Sequence, residues 1–416
     1  MKQEHKLSLV RIAVIAARII VGCTFIISGW AKAIDPWGFI IKVGEYLTEW
    51  DWTVPHEAIA AGCVSLAIAE FTTGVLMLTG CLRRVTVWVA LAFMTGMLPL
   101  TLYIALYNPV ADCGCFGDFL IISNWATFWK NVALTALIVF LLFENRRVGG
   151  LYPAASQWLV ITATVAFPLL LSISGYRVQP LLDFRPYKVG TTVFASSDDD
   201  TGNDLLLYEK DGQRRRFGLD ELPDSSWTFV EEASDAHDFG TGISVYDESG
   251  DDVSQNLSDR DGAALYLIVT EPDPHRLTYD HLINTLATEC NKAGINFDAV
   301  VGTSGEELNE WKDWRRPQYD VYSADGVALK QLVRGTQALV YTEDGTIRWK
   351  MSIQSFDREL ALHPDQLASI LPPDSGRTHN IFLAVYLGAL LAILIAAQGI
   401  NSAVRQPKPK QEKAKE

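Results

Sequence analysis

Six apolar runs, each long enough to cross a bilayer, constrain this chain more than any other feature. About 20 predominantly apolar residues make a helical span. Such runs cover Ser8–Ile34, Glu57–Cys81, Val85–Tyr107, Trp125–Phe143, Ala154–Gly175 and Asn380–Ile400. An apolar content of 49% looks ordinary for a soluble protein and hides this segregation. Between the fifth and sixth runs, Gly175–Gly376 carries 18 Lys and Arg against 37 Asp and Glu, whereas the whole chain balances at −14. So acidic a segment excludes nucleic acid as its partner. The expected fold class is a polytopic α-helical membrane protein with an α/β extracytoplasmic domain.

Basic residues between the runs set the expected orientation. Lys2, Lys6 and Arg11 precede or open the first span, Arg83-Arg84 sit in the second connection, and Arg146-Arg147 in the fourth. Lys408, Lys410, Lys413 and Lys415 follow the sixth. With six spans all four clusters fall on one side, the cytoplasmic one. The acidic segment then lies outside, so a bacterial inner-membrane protein with both termini cytoplasmic and a periplasmic domain is expected. A competing reading treats Ile20-Val21-Gly22-Cys23 as a lipoprotein cleavage site. Arg18 interrupts that leader and apolar residues continue past Cys23, which favours an uncleaved first span.

Short connections favour antiparallel neighbours, so residues 8–147 read as a four-helix bundle. A fifth transmembrane helix (154–175) leads into an acidic β-rich segment (176–239) and an α/β region (240–375). The sixth helix (380–400) ends in a basic tail (401–416). The connection Asp35–Pro55 holds Trp37, Phe39, Tyr46, Trp50 and Trp52 and reads as a segment on the outer membrane surface.

The most telling motif is Asp112-Cys113-Gly114-Cys115-Phe116-Gly117-Asp118, in a connection without Lys or Arg. Two cysteines one residue apart can cycle between dithiol and disulfide, and an oxidising compartment favours that use. The plain alternatives are a static loop-tying disulfide or two packed thiols. Cys23 and Cys63 are expected at similar depth in the first two spans, as buried resolving thiols; Cys81 sits at the inner end. Arg18 and Glu70 are expected to form an intramembrane ion pair, either as helix glue or in proton handling. Lys32 and Lys130 are expected at outer span ends, as snorkelling anchors whose charge also favours thiolate.

The pattern Arg18, Gly22, Ser28-Gly29-x-x-Lys32-x-x-Asp35-Pro36, then Glu70, Gly74 and Gly80, then the Cys-Gly-Cys-Phe-Gly element, resembles the DoxX/MauE membrane proteins over about residues 10–147. The Cys-Gly-Cys element points to the MauE side. That resemblance implies a redox-associated membrane protein: MauE-like proteins are associated with periplasmic thiol–disulfide processes, DoxX-like ones with quinone-linked sulfur oxidation. A quinone is therefore an expected electron partner, and a periplasmic thioredoxin-like or client protein another.

The strand and helix order over about Gly240–Pro372 is β-α-β-α-β-α-β-β, with a hairpin at Glu343-Asp344-Gly345, and resembles the thioredoxin-like fold. Glu271-Pro272-Asp273-Pro274-His275-Arg276 stands where that family carries Cys-x-x-Cys, and Gln337 where it carries a cis-proline. The resemblance thus implies a degenerate domain, as in Bacteroidetes proteins that join a DoxX-like bundle to such a region. Cys290 reads as a core residue. Two functions stay open: a thiol–disulfide exchanger using Cys113 and Cys115, or a non-catalytic anchored module whose outer domain recruits a partner. A transporter reading has no repeated halves to support it.

Overall fold

The computed structural model describes residues 2–110, 112–180, 182–194, 206–210, 213–217, 228–232, 242–273, 278–370 and 375–405. About half of the acidic 176–239 segment, residues 274–277 and the tail beyond 405 lie outside this set. The chain divides into a membrane unit (1–176, 180–182 and 374–416) and a second unit (177–179 and 183–373).

The membrane unit is built from α1 (Lys2–Ile34), α2 (Pro36–Glu49), α3 (His56–Thr79), α4 (Arg83–Tyr107), α5 (Asn124–Glu144), α6 (Gln157–Arg177) and α11 (Ser375–Arg405). Among the described residues, six helices are long and apolar enough to cross a membrane. A lipid environment shows in their surfaces. On α1, Val14, Ala17, Val21 and Phe25 are buried, while Ile12, Ile15, Ile19, Ile20 and Ile27 face outward. Both faces are equally apolar, which suits a helix with lipid on one side.

α1 and α3 pack closely because glycines line their seam. A Cβ on Gly22 would meet the Gly74 carbonyl oxygen at 3.0 Å, and one on Gly29 would meet the Phe71 nitrogen at 2.4 Å. Small residues at such seams let backbones approach and fix register. Here Gly22 sits opposite Gly74, and Gly29 opposite Ala67 and Phe71, so the two helices run antiparallel. Residues from α1, α3, α4 and α5 share one core around Phe25, Met77, Met94 and Ile138. α6 and α11 join through Phe167 stacked on Tyr386 at 4.5 Å.

Between α1 and α3 the chain turns into α2, an N-capped surface helix. Asp35 accepts a hydrogen bond from the Gly38 N–H at 2.9 Å, and Pro36 occupies the first turn, where its missing N–H costs nothing.

In the second unit, strands β1 (Leu206–Lys210), β2 (Gln213–Phe217) and β3 (Thr228–Glu232) form a sheet of order β2-β1-β3. A larger mixed sheet contains β4 (Val245–Tyr246), β5 (Ala263–Val269), β6 (Asn296–Val301), β7 (Asp320–Ala324), β8 (Gln337–Glu343) and β9 (Thr346–Ser352), in the order β4-β7-β6-β5-β8-β9. β5, β6 and β7 are parallel; β4, β8 and β9 are antiparallel to their neighbours. Alternation along β5 sends Leu265, Leu267 and Val269 to one core and Ala264, Tyr266 and Ile268 to the other. Helices α8 (Asp280–Lys292) and α9 (Gly305–Arg315) cover the first face. Helices α7 (Ser254–Ser258) and α10 (Gly326–Leu332) contribute Leu257, Leu329 and Leu332 to the second. β8 and β9 join at Asp344 (φ 48°) and Gly345 (φ 72°), the paired positive φ values of a tight hairpin turn.

Candidate functional site

The Cys-Gly-Cys element forms a clamped turn against α1, α2 and α5. Gly114 has φ +64°, a conformation that suits glycine, and its N–H donates to Asp112 Oδ1 at 2.6 Å. Lys42 of α2 lies 3.5 Å from Asp112 and 2.8 Å from Glu45. The two cysteine carbonyls are held from different helices. Tyr46 Oη donates to that of Cys113 at 3.2 Å, and Ser28 Oγ lies 2.5 Å from that of Cys115.

This turn brings Cys113 Sγ and Cys115 Sγ to 2.7 Å, as two free thiols. Both are buried, at 8% and 9% exposure, among Tyr46, Ile104, Val110 and Phe116. Tyr46, read from the sequence as an interface aromatic, packs with the thiols instead. A small cleft between Phe116, Leu120, Ile122 and Thr127 reaches them.

The two thiols are inequivalent. Cys113 donates to Cys115, which pushes the Cys115 thiol below the ordinary range; burial opposes this, and the charges of Lys130 and Lys32 assist it. The same hydrogen bond, together with burial, pushes Cys113 up.

The charged neighbours are arranged differently from expectation. Arg18 does not pair with Glu70. Its guanidinium donates to Asn145 Oδ1 at 2.6 Å and to the carbonyls of Asn145, Val148 and Gly149 at 2.8–3.1 Å. The cause is register: α1 begins at Lys2, earlier than its apolar run, and overhangs α3, so Arg18 lies beside Gly80. Glu70 instead accepts from Lys32 at 2.6 Å and from Ser28 at 2.7 Å. Lys32 is only 6% exposed and thus a buried ion-pair member rather than a snorkelling anchor. Lys130 places its Nζ 4.2 Å from the centre of the Phe116 ring, a cation–π contact beside the thiols.

Cys23 and Cys63 are not brought together. Cys23 faces outward and Cys63 is buried. The seam puts Cys23 level with Gly74 and Val75, so about 12 residues, or roughly 18 Å of helix, separate it from Cys63. The same antiparallel register rules out the similar depth expected from span ends. Cys290 is fully buried in the first core of the second unit, and burial pushes its thiol up to about 12. Of the Glu271–Arg276 stretch, residues 274–276 lie outside the described set.

Sequence reasoning missed Ser28, Lys42 and Tyr46 as the turn's supports. One signal was present: Ser28 and Lys32 are four apart on a helix and therefore share a face. No group of His, Cys, Asp and Glu suited to a metal occurs among the described residues.

Comparison with known families gives one match to this bundle. Residues 10–144 match the family model of the methylamine utilisation protein MauE. The first four spans are thus similar to MauE. Together with six apolar helices this makes the chain a polytopic helical membrane protein in a lipid bilayer. Residues 205–235 match a domain of unknown function, DUF8463. No curated protein and no solved structure matches the chain.

Proposed function

We propose that the MauE-like bundle is a thiol–disulfide exchanger whose working pair is Cys113 and Cys115. The observation that carries this reading is the clamped turn itself. Two free thiols lie 2.7 Å apart with opposite shifts in acidity, which suits attack by Cys115 and resolution by Cys113. In the exchange, Cys115 thiolate attacks a partner disulfide and releases one thiolate. Cys113 then attacks Cys115 of the mixed disulfide and releases the second. Two electrons and the two thiol protons pass to the partner's sulfurs, leaving a Cys113–Cys115 disulfide; the reverse run reduces it. The electron partner is a periplasmic thioredoxin-like or client protein, or a quinone. The proposed topology has both termini cytoplasmic, in a bacterial inner membrane, with the second unit periplasmic. The second unit serves binding and carries a thioredoxin-like relationship without its cysteine pair.

Burial of both thiols favours one alternative, a non-catalytic anchored module in which the pair only packs or ties its loop. Trapping the thiol state in cells decides between them. Acid quenching and alkylation should find both oxidised and reduced forms, and Cys113→Ser should accumulate a mixed disulfide through Cys115. A pair found in one state, with no trapped partner, refutes exchange.

A further inference from the structure

Ser28 of α1 stands at a fork of three polar contacts beside the thiol turn. Its Oγ accepts from Lys32 Nζ at 3.1 Å, and two acceptors lie close to it. These are the Cys115 carbonyl oxygen at 2.5 Å and Glu70 Oε1 at 2.7 Å. A hydroxyl has one proton to give, so Ser28 serves the cysteine backbone or the carboxylate, not both. Ser28 and Cys115 are both buried, and an acceptor left unmet in such a place is costly.

Without Lys32 the contest would favour Glu70, because an ionised carboxylate makes hydrogen bonds about twice as strong as an amide carbonyl does. Lys32 alters the balance. Its ammonium lies 2.6 Å from Glu70 Oε2 and meets the carboxylate's charge, so the pair is neutral as it stands. The distances show the outcome: the contact to Cys115 is the shorter, and two bare oxygens do not approach so closely without a proton between them.

The Cys115 carbonyl is one of two anchors that set the turn. Tyr46 Oη of α2 donates to the other, the Cys113 carbonyl, at 3.2 Å. With the two carbonyls tied to different helices, the peptide planes that follow Cys113 and Cys115 are fixed, and the thiols face each other at 2.7 Å. Holding two reacting groups in place raises their effective concentration.

We propose that Ser28 is a positioning residue for disulfide closure between Cys113 and Cys115, and that the buried Lys32–Glu70 pair keeps the Ser28 hydroxyl on the Cys115 carbonyl. Lys32 occupies Glu70, so the carboxylate does not capture the hydroxyl. Glu70 stays ionised throughout, and neither proton nor electron passes through these three side chains. The inference rests on the dithiol reading above: closure oxidises the two thiols, and their two electrons and two protons go to the partner disulfide.

The test uses the full-length chain in detergent micelles, equilibrated near pH 7 with reduced and oxidised glutathione. Acid quenching, differential alkylation and mass spectrometry of the peptide carrying both cysteines give the equilibrium constant for closure. Ser28→Ala should lower it about fivefold, the weight of one hydrogen bond. Lys32→Met should lower it as much, because Glu70 then takes the hydroxyl. Lys32→Met combined with Glu70→Leu should restore the parental constant, since no competitor remains; side chains that merely packed the seam would gain nothing from the second substitution. Charge alone acts in the opposite sense, because an unpaired Glu70 disfavours thiolate and so favours the disulfide. An unchanged or higher constant in Ser28→Ala overturns the proposal, as does a rise in Lys32→Met or a double variant no better than Lys32→Met. If Lys32→Met does not fold, Ser28→Ala decides alone. A pair that cycles in cells while these constants stay fixed sinks the positioning role and leaves exchange standing; lowered constants with a pair static in cells do the reverse.

Discussion

Replacing Gly29 by alanine should separate the two helices that build the thiol site. The added Cβ would lie 2.4 Å from the Phe71 nitrogen and 2.8 Å from the Ala67 carbonyl oxygen, against 3.4 Å for ordinary contact. These are backbone atoms and cannot swing aside, so α1 and α3 must part by about 1 Å. Overpacking of this kind costs about 1–3 kcal/mol. Residue 29 also adjoins Ser28, and Phe71 adjoins Glu70. The same movement stretches the 2.7 Å Ser28–Glu70 contact to the limit of a hydrogen bond, near ~3.5 Å. Gly62 of α3 provides the control, since nothing lies within 4 Å of its added Cβ. There alanine should stabilise by up to about 1 kcal/mol through helix propensity. Equilibrium unfolding in mixed micelles should therefore separate the two variants by about 1–4 kcal/mol. Equal unfolding free energies for Gly29→Ala and Gly62→Ala would refute the seam and the register built on it.

Arg18→Met should destabilise the membrane unit by at least about 1.5–3 kcal/mol, as buried acceptors lose a charged donor; the charge-swapped double variant, Arg18→Glu with Glu70→Arg, should give no rescue in the same unfolding assay. Tyr46→Phe removes the bond to the Cys113 carbonyl, worth about 1 kcal/mol, and should speed alkylation of the thiol pair about fivefold; an unchanged rate would deny α2 its part in covering them. In the second unit, burial and the nearby Arg185 hold the Lys350 ammonium down to about 8, although Asp183 opposes them. The unfolded chain then binds more protons between about pH 8 and the ordinary 10.5, so stability should rise with pH through that window. Trp349 fluorescence should follow this rise in thermal unfolding, and Lys350→Met should flatten it.

Spans and strands were legible in the sequence because each rests on a local pattern. Apolar length reports a membrane helix, and runs such as Ala263–Val269 report a buried strand. The hairpin at Asp344-Gly345 follows from turn chemistry alone. Pairing between helices was not legible, because depth counted from the ends of apolar runs ignores helical overhang. Charged residues at the start of α1 extend it beyond the membrane stretch, and the glycine seam then sets a register that puts Lys32, not Arg18, beside Glu70. The Cys-Gly-Cys element stood out as a motif, yet its burial depends on Tyr46 of α2 and Ser28 of α1, residues distant in the chain. Composition showed the acidity of the intervening segment.

The central claim is that Cys113 and Cys115 exchange electrons with another thiol system. Its most direct test is the redox state of the pair in living cells, read by acid trapping and differential alkylation, in parent and Cys113→Ser chains. The account predicts two interconverting states in the parent and a covalent partner on Cys115 in the variant. A single fixed state in the parent, together with an unmodified Cys115 in the variant, would contradict it.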